Sequence, residues 1–151
     1  MLTLYLLVLR MATLLVPTND PIVRHGAFAT AVVEEISETG PLFRDDASGA
    51  RSAALLVAIG FRESTLRNDV ESPTHDSCAL QINRRPDLKE DVRECVRVGV
   101  KMLRESMRMC RDYPVAFYAS GPGACENARA RAISNDRMAM AKKVLASAKS
   151  W

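Results

Sequence analysis

The sequence predicts a mainly α-helical domain with one small β-hairpin near residues 70 to 82. Apolar residues recur at the three- and four-residue spacing of amphipathic helices through most of the chain. Proline and glycine clusters separate these segments, and no succession of alternating apolar and polar runs indicates several strands. With 151 residues and 48% hydrophobic side chains, the chain has the size and composition of one globular domain spanning residues 1 to 151.

The N-terminal residues 1 to 17 are strongly apolar and contain a single charged side chain, Arg10. This segment is shorter than the roughly 20 apolar residues that a membrane-spanning helix needs. It also lacks the basic start and the small-residue cleavage site of an export signal. The sequence therefore favours a first core helix or a poor export signal or anchor, and it leaves the choice open.

The second helix is predicted from about residue 21 to residue 37. Polar residues at 18 to 20 stand in front of a proline, and this order is typical of a helix start. The sequence Thr39-Gly40-Pro41 marks the end of the helix, because glycine and proline both interrupt it. One face carries an apolar stripe at four-residue spacing, formed by Phe28, Val32 and Ile36.

The third helix, about residues 49 to 62, is expected to lie at the centre of the domain. Residues 53 to 61 read AALLVAIGF, a segment that is apolar on all sides and typical of a buried helix. Glu63 follows closely, so a carboxylate stands at the edge of the most apolar segment of the chain. Residues with capping side chains precede the helix: Asp45, Asp46 and Ser48.

The second half of the chain alternates loops and helices. Residues 68 to 76 are polar and contain a proline, so they predict a loop. The short apolar run 78 to 82 suits a strand, a turn or a helix start. A long helix is predicted from about residue 88 to residue 111, a short one over 114 to 120, and a last one over 128 to 148.

The four cysteines, Cys78, Cys95, Cys110 and Cys125, limit the metal and redox chemistry that the chain offers. No CxxC pair is present and there are only two histidines, so we do not expect a structural zinc site. The even count permits two disulfides, and four buried thiols are the alternative. The favoured single pair is Cys110 with Cys125, because these residues bracket a turn rich in proline and glycine.

The charge is mildly basic, with 21 Lys and Arg against 18 Asp and Glu. The basic residues are scattered singly and aromatic residues make up only 5% of the chain. A nucleic-acid surface would cluster the cations and supply rings for stacking, so we expect no nucleic-acid partner. The weak positive balance suits an acidic polymer, and it equally suits no charged partner.

Three short segments carry recognisable motifs. Residues 54 to 65 read ALLVAIGFREST, residues 78 to 83 read CALQIN, and residues 117 to 123 read FYASGPG. In this order they resemble the lysozyme-like superfamily, most closely the soluble lytic transglycosylase domain, whose motifs are an apolar helix ending in Glu-Ser, GLMQI and AYNAGPG. Cys78 replaces the usual glycine and Ala119 replaces the usual asparagine, so any substrate contact of that asparagine is missing here.

The resemblance covers about residues 50 to 125 and implies one lysozyme-like helical domain. It implies cleavage of the β-1,4 bond between N-acetylmuramic acid and N-acetylglucosamine of peptidoglycan, by a lytic transglycosylase or a lysozyme. Neither a metal nor an organic cofactor is implied, and we expect a monomer that acts on the bacterial cell envelope, either as an exported bacterial enzyme or as a phage lysin. The alternative is an inactive sugar-binding or structural module of the same fold.

Glu63 is the residue that the resemblance assigns as catalytic acid, and the physical chemistry of its position agrees. Glycosidic cleavage requires protonation of a poor leaving group. A carboxylic acid does this at neutral pH only if its pKa is raised, and desolvation beside apolar neighbours is one way to raise it. The apolar segment before Glu63 predicts such surroundings.

Asp76 is the predicted second carboxylate. It lies five residues before Gln81, and animal-type lysozymes have a catalytic aspartate at the same offset before a QIN sequence. Lytic transglycosylases instead use one glutamate, with help from the substrate's acetamido group and closure of a 1,6-anhydro ring. Asp69 and Glu71 are weaker alternatives in the same loop, and we expect no acid-base role for His75.

Ser64, Gln81 and Tyr118 are the predicted substrate-binding residues. The resemblance implies that the glutamine lies beside the catalytic acid, that the serine lies near the acetamido groups, and that the tyrosine hydrogen-bonds the acid or the sugar. The alternative for Ser64 and Gln81 is local hydrogen bonding within helix and turn. For Tyr118 it is a core aromatic ring with its hydroxyl at the surface.

Overall fold

The computed structural model describes residues 2–150, and this part of the chain is mainly helical with a small antiparallel hairpin, as the sequence predicts. The elements follow one another in the order α1 (Leu2–Leu15), α2 (Pro21–Thr39), α3 (Ala50–Ser64), β1 (Asp76–Ser77), β2 (Ile82–Asn83), a 3₁₀ helix (Pro86–Lys89), α4 (Val92–Met109), α5 (Ala116–Ser120) and α6 (Ala128–Lys149).

Helix α3 lies at the centre of the domain. Every residue from 52 to 60 is buried, as the apolar sequence predicts. The helix packs most extensively against α6, and it also contacts α1 and α2. Full burial of a large apolar side chain stabilises a fold by roughly 1.5–3 kcal/mol, so these contacts fix α3 firmly. The C-terminal end of α3, where Glu63 lies, is therefore well positioned.

Side-chain caps explain where α2 and α3 begin. Asp20 accepts a hydrogen bond from the backbone N–H of Val23 at 3.1 Å. The buried carboxylate of Asp46 accepts from the N–H groups of Arg51 and Ser52, at 3.2 and 2.8 Å. These contacts satisfy N–H groups that have no partner within the first helical turn. The capping roles predicted for Asp20 and Asp46 are confirmed, whereas Asp45 pairs with the side chain of Arg51 instead.

Helix α1 belongs to the core of the domain. Val8, Met11 and Ala12 are fully buried and Leu9 is nearly so. The helix packs against α2, α3 and α6, so its apolar composition serves interior packing. Within residues 2–150, none of the helices combines the length and the hydropathy that crossing a membrane would take.

Helix α4 begins later than predicted, at Val92 instead of near residue 88. Pro86 opens a separate 3₁₀ helix, which ends at Lys89. Asp91 then caps α4 by accepting a hydrogen bond from the N–H of Glu94 at 2.9 Å. The prediction placed the start of the helix close to Pro86. The aspartate that caps the helix lies five residues further along the chain, so the predicted helix was too long.

Two disulfides cross-link the second half of the chain. The favoured pair Cys110–Cys125 is present, and Cys78 is bonded to Cys95. The alternative of four buried thiols is therefore wrong, since no free cysteine remains. The Cys78–Cys95 bond fastens the hairpin turn to α4, and the other bond ties the end of α4 to the loop before α6.

The hairpin is a two-residue antiparallel pair. Asp76 faces Asn83, and Ser77 faces Ile82. Residues 78–81 form the turn between these strands, so the apolar run whose structure the sequence left open is chiefly a turn.

Candidate active site

Glu63 lies in the last turn of α3, and its side chain is 29% exposed. Nη2 of Arg137, on α6, donates a hydrogen bond to Oε1 of Glu63 at 2.9 Å. The Arg137 side chain is only 14% exposed, so protein shields both charges from most of the solvent. The surroundings of Glu63 are therefore not purely apolar, because a guanidinium stands beside its carboxylate.

Arg137 belongs to a short network of charges that links α3 to α6. Its Nη1 donates to Oδ2 of Asp136 at 2.6 Å, and Arg62 donates to Oδ1 of Asp136 at 2.7 Å. Arg62 pairs with Asp136 rather than with Glu63, as expected for side chains that are neighbours along a helix. Nε of Arg137 is buried and has no hydrogen-bond partner among residues 2–150. The guanidinium beside Glu63 thus keeps one unused donor.

The turn of residues 78–81 is the place where the three motif segments meet. Ser64 ends α3, and its Oγ lies 2.8 Å from the carbonyl oxygen of Ala79. Tyr118 of α5 donates its hydroxyl proton to the carbonyl oxygen of Leu80 at 2.5 Å. Segments separated by many residues in the sequence therefore share one small turn.

Cys78 and Gln81, at the two ends of this turn, both have left-handed backbone, with φ of 68° and 51°. This conformation costs a residue with a Cβ roughly 1–2 kcal/mol, whereas glycine adopts it freely. Position 78 is the one where the resembled family has glycine. Here the strain is offset by the disulfide to Cys95 and by a hydrogen bond from Nε2 of Gln81 to the Cys78 carbonyl at 2.9 Å.

Leu80 anchors the turn in the core. Its side chain is fully buried and packs against Gly99 of α4. A Cβ at position 99 would collide with Cδ1 of Leu80, so α4 needs glycine at this point. The position of the turn is thus set by packing as well as by the disulfide.

Asp76, on β1, is held by three side-chain donors. Burial alone would raise the pKa of Asp76, but these hydrogen bonds and the nearby His75 outweigh that effect, and the pKa lies below its ordinary value. Asp76 is therefore ionised at neutral pH, the state that a nucleophile or a stabiliser of positive charge requires. The donors are Thr74 Oγ1 at 2.5 Å, Asn83 Nδ2 at 2.8 Å and Ser72 Oγ at 3.1 Å.

Tyr118 lies within the electrostatic reach of both predicted carboxylates. Burial of its hydroxyl raises the pKa of Tyr118, and the negative charges of Glu63 and Asp76 raise it further. The phenol therefore stays a neutral donor under physiological conditions. Tyr118 and Ser64 thus bond to carbonyl groups of the turn, and Gln81 is bonded within it. Glu63 directly precedes Ser64 at the end of α3, and Asp76 lies on the strand that leads into the turn.

The weaker carboxylate candidates are engaged elsewhere on the surface. Asp69 pairs with Arg67 at 3.0 Å. Glu71 pairs with Lys89 at 2.6 Å and with Nδ1 of His75 at 3.1 Å. The His75 side chain is 75% exposed.

Of four cavities within residues 2–150, one is lined by Arg62 and Asp136 of the charge network beside Glu63. Neither Glu63 nor Asp76, Gln81 or Tyr118 lines any of the four described in residues 2–150.

Arg137 is the site residue that sequence reasoning missed. Its partner Glu63 lies 74 residues earlier in the chain, beyond the reach of any local pattern. A signal was nevertheless present, because Arg137 falls on the buried face of α6, and a cation there requires a partner. The buried residues of that face are Ala130, Ser134, Ala141, Val144 and Ala148.

Comparisons with protein-family models, with curated proteins and with solved structures found no match to this chain. The resemblance to the lysozyme-like superfamily therefore rests on the three motifs. The contacts of Glu63, Asp76 and the turn at 78–81 carry the chemical argument.

Proposed function

We propose that this protein cleaves the β-1,4 bond between N-acetylmuramic acid and N-acetylglucosamine of peptidoglycan, with Glu63 as general acid and base. The observation that carries the proposal is the convergence of the three motif segments on the turn at 78–81. Chance matches would lie at unrelated places in the fold. Here Ser64 and Tyr118 both bond to carbonyl groups of that turn.

The proposed reaction begins with proton transfer from Glu63 to the glycosidic oxygen, which makes the sugar a better leaving group. Oε1 accepts the hydrogen bond from Arg137, so Oε2 is the oxygen left to carry the proton. Arg137 orients the carboxylate through this contact.

Asp76 determines which of two products we expect. Its hydrogen bonds keep the carboxylate ionised, and an ionised carboxylate stabilises a positively charged sugar or attacks it. Water then completes hydrolysis, with Glu63 acting as base. If Asp76 is only structural, the acetamido group assists and the 6-hydroxyl of the muramic acid closes an anhydro ring. The contacts of Asp76 support the hydrolytic version.

Gln81 is the best-placed candidate for contacting an acetamido group. Its Nε2 is bonded to the turn, which leaves Oε1 outside that bond. The hydroxyls of Ser64 and Tyr118 are already bonded to backbone carbonyls, so their proposed contribution is to hold the turn. The proposed partner is a GlcNAc–MurNAc strand bound by a monomer, with no cofactor.

A second candidate function is a sugar-binding module without catalysis. The ion pair between Glu63 and Arg137 favours it, because it gives the Glu63 carboxylate a structural partner within the protein. Such a module would bind the same glycan and leave it intact.

The deciding experiment incubates the protein with purified peptidoglycan and identifies the soluble products by mass spectrometry. Reducing-end muropeptides indicate hydrolysis, and anhydromuropeptides indicate a transglycosylase. We expect the Glu63→Gln variant to lose roughly 10²–10⁴-fold in rate, the usual contribution of a general acid. Glu126→Gln, at an exposed position, serves as the matched control and should retain full activity.

No products from either protein on several wall types would rule out the enzymatic proposal. A thermal shift with N-acetylglucosamine oligomers in wild type and Glu63→Gln alike would then establish the binding module. An equal rate for wild type and Glu63→Gln would remove Glu63 from the mechanism.

A further inference from the structure

A cavity of about 660 Å³ lies between α3 and α6, away from the residues of the candidate active site. Its size is within the range of roughly 300–1,000 Å³ that small-molecule sites occupy. Most of its wall is apolar, formed by Phe43, Ala54, Leu55, Met138, Ala141 and Leu145.

Three cationic side chains complete the lining of this cavity. Arg51 lies with its guanidinium 4.7 Å from the centre of the Phe43 ring and is paired with Asp45. Lys142 and Lys149 reach the cavity from α6. No acidic side chain lines it. An apolar wall with lysines and an arginine around it suits a ligand that has both a hydrocarbon part and a negative charge.

A second cavity, of about 900 Å³, is lined by four arginines and again by no acidic residue. Arg104 has a structural task, since it donates to the carbonyl oxygens at the end of α2. Arg108 has a long contact of 3.9 Å with Glu105. Arg44 and Arg111 form no ion pair within residues 2–150. Guanidinium groups without a carboxylate partner are suited to phosphate or carboxylate ligands.

The two cavities adjoin at Phe43, which lines both. We propose that together they bind a single-chain anionic amphiphile. Its hydrocarbon chain lies between α3 and α6, and its phosphate or carboxylate head meets Arg44, Arg108 and Arg111.

Because the apolar cavity adjoins the arginine-lined cavity, an anionic amphiphile fits the site better than a simpler ligand does. An inorganic anion would use the arginines and leave the apolar cavity empty, and a neutral apolar ligand would have no use for the arginines. Only a ligand with both parts gains from both surfaces. The proposal does not depend on glycan cleavage, because no residue of the candidate active site lines either cavity.

The test measures binding of dodecyl phosphate below its critical micelle concentration by isothermal titration calorimetry. Dodecyl maltoside supplies the same chain with a neutral head, and inorganic phosphate supplies the head alone. We expect saturable binding of one dodecyl phosphate per chain, at least about tenfold tighter than either control, because each control lacks one set of contacts.

Two variants locate the site on the protein. Ala146→Trp places a bulky ring in the apolar cavity from an exposed position, and Arg108→Glu with Arg111→Glu reverses charge in the other cavity. Each should weaken dodecyl phosphate binding by about tenfold or more. The matched controls are Ala132→Trp and Arg129→Glu, exposed positions on α6 that line neither cavity.

Circular dichroism establishes that each variant is folded before binding is measured. If inorganic phosphate binds as tightly as dodecyl phosphate, the role of the hydrocarbon chain is overturned. If dodecyl maltoside binds as tightly as dodecyl phosphate, the role of the arginines is overturned. Absence of saturable binding, or an equal effect of the control variants, would overturn the proposal as a whole.

Discussion

Glu63 and Arg137 form an ion pair that lies between surface and core, with side chains 29% and 14% exposed. Exposed ion pairs contribute about 0–1 kcal/mol, because water and ions screen them. Removing one partner of a buried pair costs roughly 3–5 kcal/mol, because the other charge remains without compensation. The partial burial of Glu63 and Arg137 predicts an interaction free energy between these two limits.

We expect a double-mutant cycle of Glu63→Gln and Arg137→Met to give a coupling free energy of about 1–2 kcal/mol, measured by urea unfolding. The exposed pair Arg67 and Asp69 supplies the control cycle, with a coupling below about 0.5 kcal/mol. A Glu63 coupling no larger than the control value would show that the pair is not shielded, and it would remove Arg137 from the site.

The hydrogen bonds of Asp76 predict a dependence of stability on pH. Its pKa in the folded chain lies below the ordinary value of 3.8. A carboxylate with a depressed pKa contributes stability that is present above the unfolded-state pKa and is lost as the pH falls through the folded-state pKa. Wild type should therefore lose more stability than Asp76→Asn on acidification below about pH 4.

Urea unfolding between about pH 5 and pH 2 measures that difference. Asn83→Ala removes one of the three donors to Asp76, so its loss of stability on acidification should fall between those of wild type and Asp76→Asn. If the unfolding free energy depends on pH identically in the three proteins, these donors do not stabilise the charged form of Asp76.

Local sequence patterns were sufficient to predict Glu63 and Asp76 as candidate residues. They were not sufficient to predict which side chains contact these two carboxylates. Glu63 follows a helix whose burial is evident from its composition, and Asp76 stands at a recognisable offset from Gln81. Arg137 lies on another helix, so its pairing depends on how α3 and α6 pack. The donors to Asp76 depend on the backbone of the hairpin and loop, which short polar segments do not specify.

At the scale of the elements, helices with strong caps were predicted closely and the segment with little periodicity was not. Helix α2 begins at the predicted proline and α3 follows its predicted caps, because both signals are local. Residues 78 to 82 are too few to show the periodicity of a helix or of a strand, and the turn that they form is held by tertiary contacts. The left-handed Cys78 is retained through its disulfide to α4, which sequence alone did not pair.

The two disulfides close loops of similar length, with sequence separations of 17 and 15. Chain entropy therefore predicts a similar loss of stability, about 3 kcal/mol, when either pair is replaced by alanine. Only the Cys78–Cys95 bond holds the turn at the candidate site. We expect peptidoglycan cleavage to fall far more in Cys78→Ala/Cys95→Ala than in Cys110→Ala/Cys125→Ala, measured under conditions in which both remain folded.

A third variant, Cys78→Gly/Cys95→Ala, separates the effect of backbone strain from that of the lost bond. Glycine adopts the left-handed conformation freely, so this variant should be about 1 kcal/mol more stable than Cys78→Ala/Cys95→Ala. Equal activity in Cys78→Ala/Cys95→Ala and Cys110→Ala/Cys125→Ala would contradict the proposed link between the turn and catalysis.

At the scale of the whole molecule, α1, α2 and α6 surround α3, and the candidate site lies where α3 ends. Helix α1 is far from that turn in sequence, yet its burial contributes to the interior that fixes α3. We therefore expect activity at Glu63 to depend on α1, although the composition of α1 by itself also suits an export signal.

Two substitutions within α1 test that dependence. Val8 is fully buried and Leu6 is 55% exposed on the same helix. Val8→Asp places an unpaired carboxylate in the core and should cost more than about 4 kcal/mol, a large share of a stability that is typically about 5–15 kcal/mol. Leu6→Asp should change stability by less than about 1 kcal/mol, because exposed positions tolerate polar residues. Thermal unfolding followed by circular dichroism measures both, and similar melting temperatures for the two variants would mean that α1 is not part of the cooperative core.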